Sequence, residues 1–194
     1  MKGIDVSENN GIVDWHAVKA AGMEFAIIRL GYGNNHLDSC FYHNINGAVE
    51  AGLKIGVYYY SYALDVDAAK SEARFVTAVL DDAGLKPHML SMGIWVDMED
   101  ADGYKANHGM PSNQTITDMC SAFICEMNSY GYWCGVYASY DWLRNRIDTK
   151  QLAEYVPYWC AQWGNRCDWP DARMWQYTDS YNIDGQLFDG NVAY

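Results

Sequence analysis

The chain has 194 residues, half of them apolar and 20% charged, with 17 Gly and 4 Pro. That composition fits one domain, residues 1–194, with a sizeable core, and excludes disorder, collagen-like repeats and low-complexity sequence. Thirteen Lys and Arg against 25 Asp and Glu give a net charge of −12 with no visible basic cluster, which excludes a nucleic-acid partner.

Strand-like runs alternate with helix-like ones. Strands are expected at Gly3–Val6, Phe25–Leu30, Ile55–Tyr60, Ile94–Met98, Cys134–Tyr137, Tyr158–Ala161, Met174–Tyr177 and Gln186–Phe188. Several are continuously apolar, as for strands covered on both faces. Helices are expected at Asp14–Ala21, Ser39–Ala51, Asp67–Leu80 (capped by Asp65 or Asp67), Thr115–Ser129 and Tyr140–Arg146. Gly22, Gly52, Gly84 and Gly131 follow four of these runs, where a C′ glycine belongs. Repeated β-α units imply parallel pairing. A full eightfold barrel takes about 250 residues, so the α/β fold expected is a shortened, irregular TIM-like β/α barrel with eight strands and about five helices. An open doubly wound sheet is the runner-up, without a phosphate-binding loop to support it.

No apolar run reaches the roughly 18 residues of a membrane span. The opening MKGIDVSENNG lacks a signal peptide's apolar region, so the chain is expected to be mature, processed or exported by another route. Eight Trp and 16 Tyr against 5 Phe suit a ligand with both apolar faces and hydroxyls, as sugars have, although most buried aromatics are packing. The six Cys and five His show no metal-ligand spacing. No metal or cofactor is expected, and Cys160 and Cys167 are either a short disulfide loop or reduced thiols.

In parallel barrels the chemistry sits at the C-terminal strand ends. There the chain places Asp5, Asp97 with Glu99, and Asp189. Asp97 and Glu99 are two apart on a strand, hence on one face with Cα atoms roughly 6.5 Å apart. Two close carboxylates beside Ile94, Trp95 and Val96 favour a raised pKa on one of them, which suits an acid that protonates a departing glycosidic oxygen. Capping is the competing role for Asp5 and Asp189, and Arg29 is expected to be a buried partner of one of these carboxylates.

The ordered series GIDVSENNGIVDW, FAIIRLGYG, AGLKIGVYYYSYA, IWVDMED, GYWCGVYAS, YWCAQW, MWQYTDS and LFDGNVAY, spanning Gly3 to about Asn191, resembles the glycoside hydrolase family 25 lysozymes. The resemblance implies a muramidase that cuts the β-1,4 bond from N-acetylmuramic acid to N-acetylglucosamine in bacterial peptidoglycan, acting at the cell wall or outside the cell. It implies Glu99 as general acid, Asp97 as its neighbour, Asp5 and Asp189 as further acids of the rim, and Tyr58, Tyr60, Tyr137, Trp159 and Gln176 as groove residues. Tyr59 replaces a histidine that many members carry, but alternation turns it to the opposite face. No wall-binding repeats follow Tyr194, so targeting is expected from the groove itself, from a missing segment, or not at all, and a monomer is the default.

A nucleophile wants carboxylates about 5–5.5 Å apart and inversion about 6.5–9.5 Å. The Asp97–Glu99 spacing fits either. Attack by the substrate's N-acetyl oxygen, with Asp97 holding the acetamido N–H, is the favoured third route. A non-catalytic sugar-binding module and a chitinase-like hydrolase are the alternatives.

Overall fold

The structure is a computed structural model and describes residues 1–194. Its strands are β1 (Lys2–Val6), β2 (Phe25–Tyr32), β3 (His36–Leu37), β4 (Lys54–Tyr60), β5 (Ile94–Asp97), β6 (Cys134–Ser139), β7 (Tyr158–Ala161), β8 (Met174–Ile183) and β9 (Gln186–Ala193). Eight of them close a barrel in the order β1-β9-β8-β7-β6-β5-β4-β2, sealed by β1 against β2, while the two-residue β3 hangs on β2 as a hairpin.

One expectation needs correcting. Seven barrel strands are parallel, but β9 runs antiparallel to both β8 and β1. The cause is local. Asp184 (φ 50°) and Gly185 (φ 91°) form a two-residue turn with both central φ angles positive, the Asp-Gly signature of a tight hairpin. A parallel neighbour needs a crossover of a dozen or more residues, which this turn cannot supply. The hairpin also carries β8 six residues beyond the expected end at Tyr177.

Six helices flank the barrel: α1 (Trp15–Ala20), α2 (Phe41–Glu50), α3 (Val66–Asp82), α4 (Tyr104–Asn107), α5 (Asn113–Ser129) and α6 (Tyr140–Asn145). The single turn α4 is the one without a counterpart in the sequence reading. Asp14, Asp65, Ser112 and Ser139 cap α1, α3, α5 and α6 by accepting backbone N–H groups. All four expected C′ glycines have positive φ. No helix follows β7, which is how the barrel closes within 194 residues.

Strand alternation sorts the side chains into two cores. Ile4, Ala26, Ile28, Val57, Val96 and Val136 face the helices, while Phe25, Ile27, Trp95, Tyr137, Trp159 and Met174 fill the barrel. Tyr59 goes outward, as alternation requires: it packs on Phe75 and Phe123, and its hydroxyl donates to the Gly33 carbonyl at 2.6 Å.

The barrel lumen leaves no room at Gly135, where a Cβ would sit 2.6 Å from the Pro157 carbonyl oxygen and 2.6 Å from the Trp95 ring. Neither atom can swing away. Gly135→Ala is therefore expected to cost about 1–3 kcal/mol and lower Tm by several degrees in a thermal melt. All six cysteines are free thiols, Cys160 and Cys167 included.

Candidate active site

Asp5 leaves β1 toward the barrel axis and is 5% exposed. Its Oδ2 accepts from Asn191 Nδ2 at 2.7 Å and from Gln176 Nε2 at 3.0 Å. Those amides are themselves held: Trp159 Nε1 donates to Asn191 Oδ1 at 2.8 Å, and the Tyr137 hydroxyl and Trp163 Nε1 each donate to Gln176 Oε1 at 3.1 Å. Asp5 is thus fixed by a buried polar network, and the capping role falls instead to Ser7, which accepts from Asn9. Asp189 lies directly across from Asp5 in the β1–β9 register. It reaches this end of the barrel from the first half of an antiparallel strand, not from a C-terminal strand end as parallel pairing implied.

Asp97 ends β5 at 4% exposed, and its Oδ1 is buried without a hydrogen-bond partner. Glu99 follows two residues later. With Asp189, Tyr58 and Tyr60 they line one open cavity of about 580 Å³. The Tyr60 hydroxyl donates to Asp102 Oδ1 at 3.2 Å, and the Tyr62 hydroxyl donates to Asp102 Oδ2, so a single carboxylate orients both rings. On the adjacent strand β2, Arg29 binds Asp38 at 2.7 Å and Glu8 at 3.0 Å, with its guanidinium 4.8 Å from the Tyr32 ring centre. The expectation that Arg29 partners one of the four candidate acids is corrected by this geometry: Asp38 and Glu8 take all its close charge contacts. Of the expected groove residues, Tyr58 and Tyr60 line the cavity; Tyr137, Trp159 and Gln176 lie beneath it, each under one-tenth exposed.

The family model for glycosyl hydrolases family 25 matches residues 4–186. The chain belongs to that family. It is 28% identical to the autolytic lysozyme of Clostridium acetobutylicum, over 95% of this chain and 52% of that protein. It is 23% identical to the N,O-diacetylmuramidase of Arthroderma benhamiae, over 99% of this chain and 83% of that protein. In three dimensions it is similar to the modular autolysin LytC from Streptococcus pneumoniae, solved with a synthetic peptidoglycan ligand, at a TM-score of 0.86 and 28% identity. That match covers 100% of this chain and 46% of LytC, so the chain spans about half the length of the autolytic lysozyme and of LytC.

Ionisation in this family 25 chain follows from burial. Burial pushes the Glu99 carboxyl up to about 7, with the charges of Asp102 and Asp189 adding and Lys105 opposing. Burial also drives Asp97 well above the usual carboxylate range, and the Glu99 charge raises it further. Asp5 rises for the same reasons, burial first and Asp189 second. In both pairs burial and the neighbouring acid therefore favour the protonated form.

The sequence reading missed the cation beneath the site. Lys105, on α4, is 1% exposed, and its ammonium donates to the Ser61 carbonyl and, at 2.8 Å, to the Glu99 carbonyl. It ties the end of β4 to the end of β5. Behind it the buried Glu72 accepts from the Ser61 hydroxyl at 2.6 Å and the Tyr62 N–H at 2.9 Å, with its pKa raised by burial to about 7. No group of three or more His, Cys, Asp or Glu side chains is arranged to hold a metal ion, and no helix is long and apolar enough to cross a membrane.

Proposed function

We propose that this chain hydrolyses the β-1,4 bond from N-acetylmuramic acid to N-acetylglucosamine in bacterial peptidoglycan, acting as a monomer at the cell wall. The observation that carries this reading is the meeting of Asp97, Glu99 and Asp189 in one open cavity, with Asp5 beneath, in a chain of family 25. The names of the relatives, two lysozymic enzymes and an autolysin solved with a peptidoglycan ligand, point to the same polymer.

Glu99 is the general acid. A carboxyl held near 7 is protonated often enough at neutral pH to give its proton to the leaving glycosidic oxygen as the C1–O bond breaks. Asp97, which lines the cavity beside Glu99, accepts the substrate's acetamido N–H. That contact directs the acetamido oxygen onto C1 and stabilises the oxazolinium ion that forms. Water then opens the ring, giving its proton back to Glu99, so the anomeric configuration is retained. Asp5 and Asp189 hold Asp97's protonation and the sugar hydroxyls in place, Asp5 through its charge, and Tyr58 and Tyr60 give the pyranose rings flat faces to rest on.

Proton NMR of the first product formed from purified peptidoglycan tests both steps. A new N-acetylmuramic acid reducing end with the β anomer appearing first is expected. An α-first product replaces this route with inversion, release of N-acetylglucosamine ends from chitin at an equal rate favours a chitinase-like hydrolase, and no cleavage of either leaves a sugar-binding module.

A further inference from the structure

Three cations lie within residues 144–150, and folding holds them on one flank of this strongly acidic chain. Arg144 and Arg146 at the end of α6, with Lys150 just beyond, line a cavity of about 600 Å³ that Asn113 of α5 and Trp169 complete. Both guanidiniums are mounted on aromatic faces. Arg144 lies 5.7 Å from the Tyr140 ring centre and donates to the Tyr140 hydroxyl at 3.2 Å. Arg146 lies 5.9 Å from the Trp142 ring centre and donates to Asn113 Oδ1 at 3.4 Å. None of the three forms an ion pair, a property they share with Lys2, Lys19, Lys54, Lys105 and Arg173, but these three line one cavity together. The one carboxylate in the cavity wall, Asp148, accepts from the Gln151 side chain at 2.8 Å and from the Lys150 backbone N–H at 3.2 Å.

Gathering like charges without a counterion is unfavourable unless an anion comes between them. Aromatic mounting fixes the donor forks while leaving their outward N–H groups free, and a guanidinium fork matches the oxygens of phosphate. The space exceeds that of a single inorganic anion, which favours successive groups of one chain. A net charge of −12 works against a stiff, densely charged duplex and leaves local contact with a flexible polymer as the workable mode.

We propose that this cavity binds the phosphodiester groups of a flexible alditol–phosphate polymer. The choice of polymer rests on the wall reading above; the anion site itself does not.

The test is titration calorimetry of the full chain with pyrophosphate and with a short poly(glycerol phosphate), across a salt series. Saturable binding is expected, with a log–log salt slope of about −2 for three contacts. Combined Arg144→Ala, Arg146→Ala and Lys150→Ala replacement is expected to weaken it at least tenfold, with Tm and turnover of a short soluble muramyl substrate unchanged. No binding by the parent chain, equal binding by the triple variant, or tighter binding of single-stranded RNA of matched charge would each overturn the proposal. Because the readout needs no turnover, an inactive chain that still binds separates this inference from the proposed hydrolysis.

Discussion

Glu99→Gln is expected to lower kcat/KM on peptidoglycan by about 10²–10⁴-fold, because the amide keeps the shape and hydrogen-bonding of the carboxyl but has no proton to deliver. The same variant is expected to be more stable than the parent at pH 8. A carboxyl whose folded pKa is about 7, against an ordinary value of 4.5, binds its proton more tightly in the folded chain than in the unfolded one. Stability from that group is therefore complete below about 4.5 and is lost as pH climbs through 7. Glutamine does not ionise, so the variant escapes this loss, gaining on the order of 1–3 kcal/mol at pH 8 and nothing at pH 4.5. Turnover measured beside thermal melts at the two pH values decides the matter. Substantial residual turnover takes the acid role away from Glu99, and equal destabilisation at both pH values means that the side chain is there for packing.

The features that sequence made legible are those set by strand periodicity. Asp97 and Glu99 share a face because they are two apart, and Tyr59 leaves the site because it lies between Tyr58 and Tyr60; neither inference needs tertiary information. The hairpin that turns β9 around was also written in the sequence, as Asp184-Gly185, but the pattern of repeated β-α units outweighed it. Glu72 carried a signal as well. It lies three residues after Ala69 and four before Val76, on the stripe that α3 buries, where an acid is out of place. Lys105 carried none. It sits in a polar stretch between Asp100 and His108 that reads as solvated loop, and only the approach of Ser61, from a strand end more than forty residues earlier, encloses its ammonium. Tyr137, Trp159 and Gln176 show the opposite limit: strand motifs place them at the right end of the barrel, but depth along the axis depends on stagger between strands, which no single strand encodes.

Lys105→Met is expected to move the whole pH–rate profile toward alkaline pH by about one to two units, the range over which a nearby opposite charge shifts a carboxyl. The direction follows from the sign of the charge. The ammonium favours the ionised forms of both Asp97 and Glu99, opposing the burial that raises them. Without it both carboxyls hold their protons more tightly. Both limbs, which belong to the coupled Asp97–Glu99 pair, then rise. Methionine nearly conserves the buried volume but leaves the Ser61 and Glu99 carbonyls without their donor and Glu72 without its nearby cation, so a loss of about 2–4 kcal/mol is expected in denaturant unfolding at pH 8. That loss should shrink toward pH 5, where Glu72 and Glu99 are protonated and need no counter-charge. A purely architectural strap would behave differently: activity would drop by one factor at every pH with both limbs in place, and the stability deficit would be the same at pH 5 and pH 8. Lys105→Arg adds a control, since a guanidinium keeps the charge while spoiling the fit. If charge governs the site, this variant retains the parental limbs at reduced kcat, whereas limbs that shift as far as in the methionine variant would show that the field of the ammonium is not what tunes the carboxyl pair.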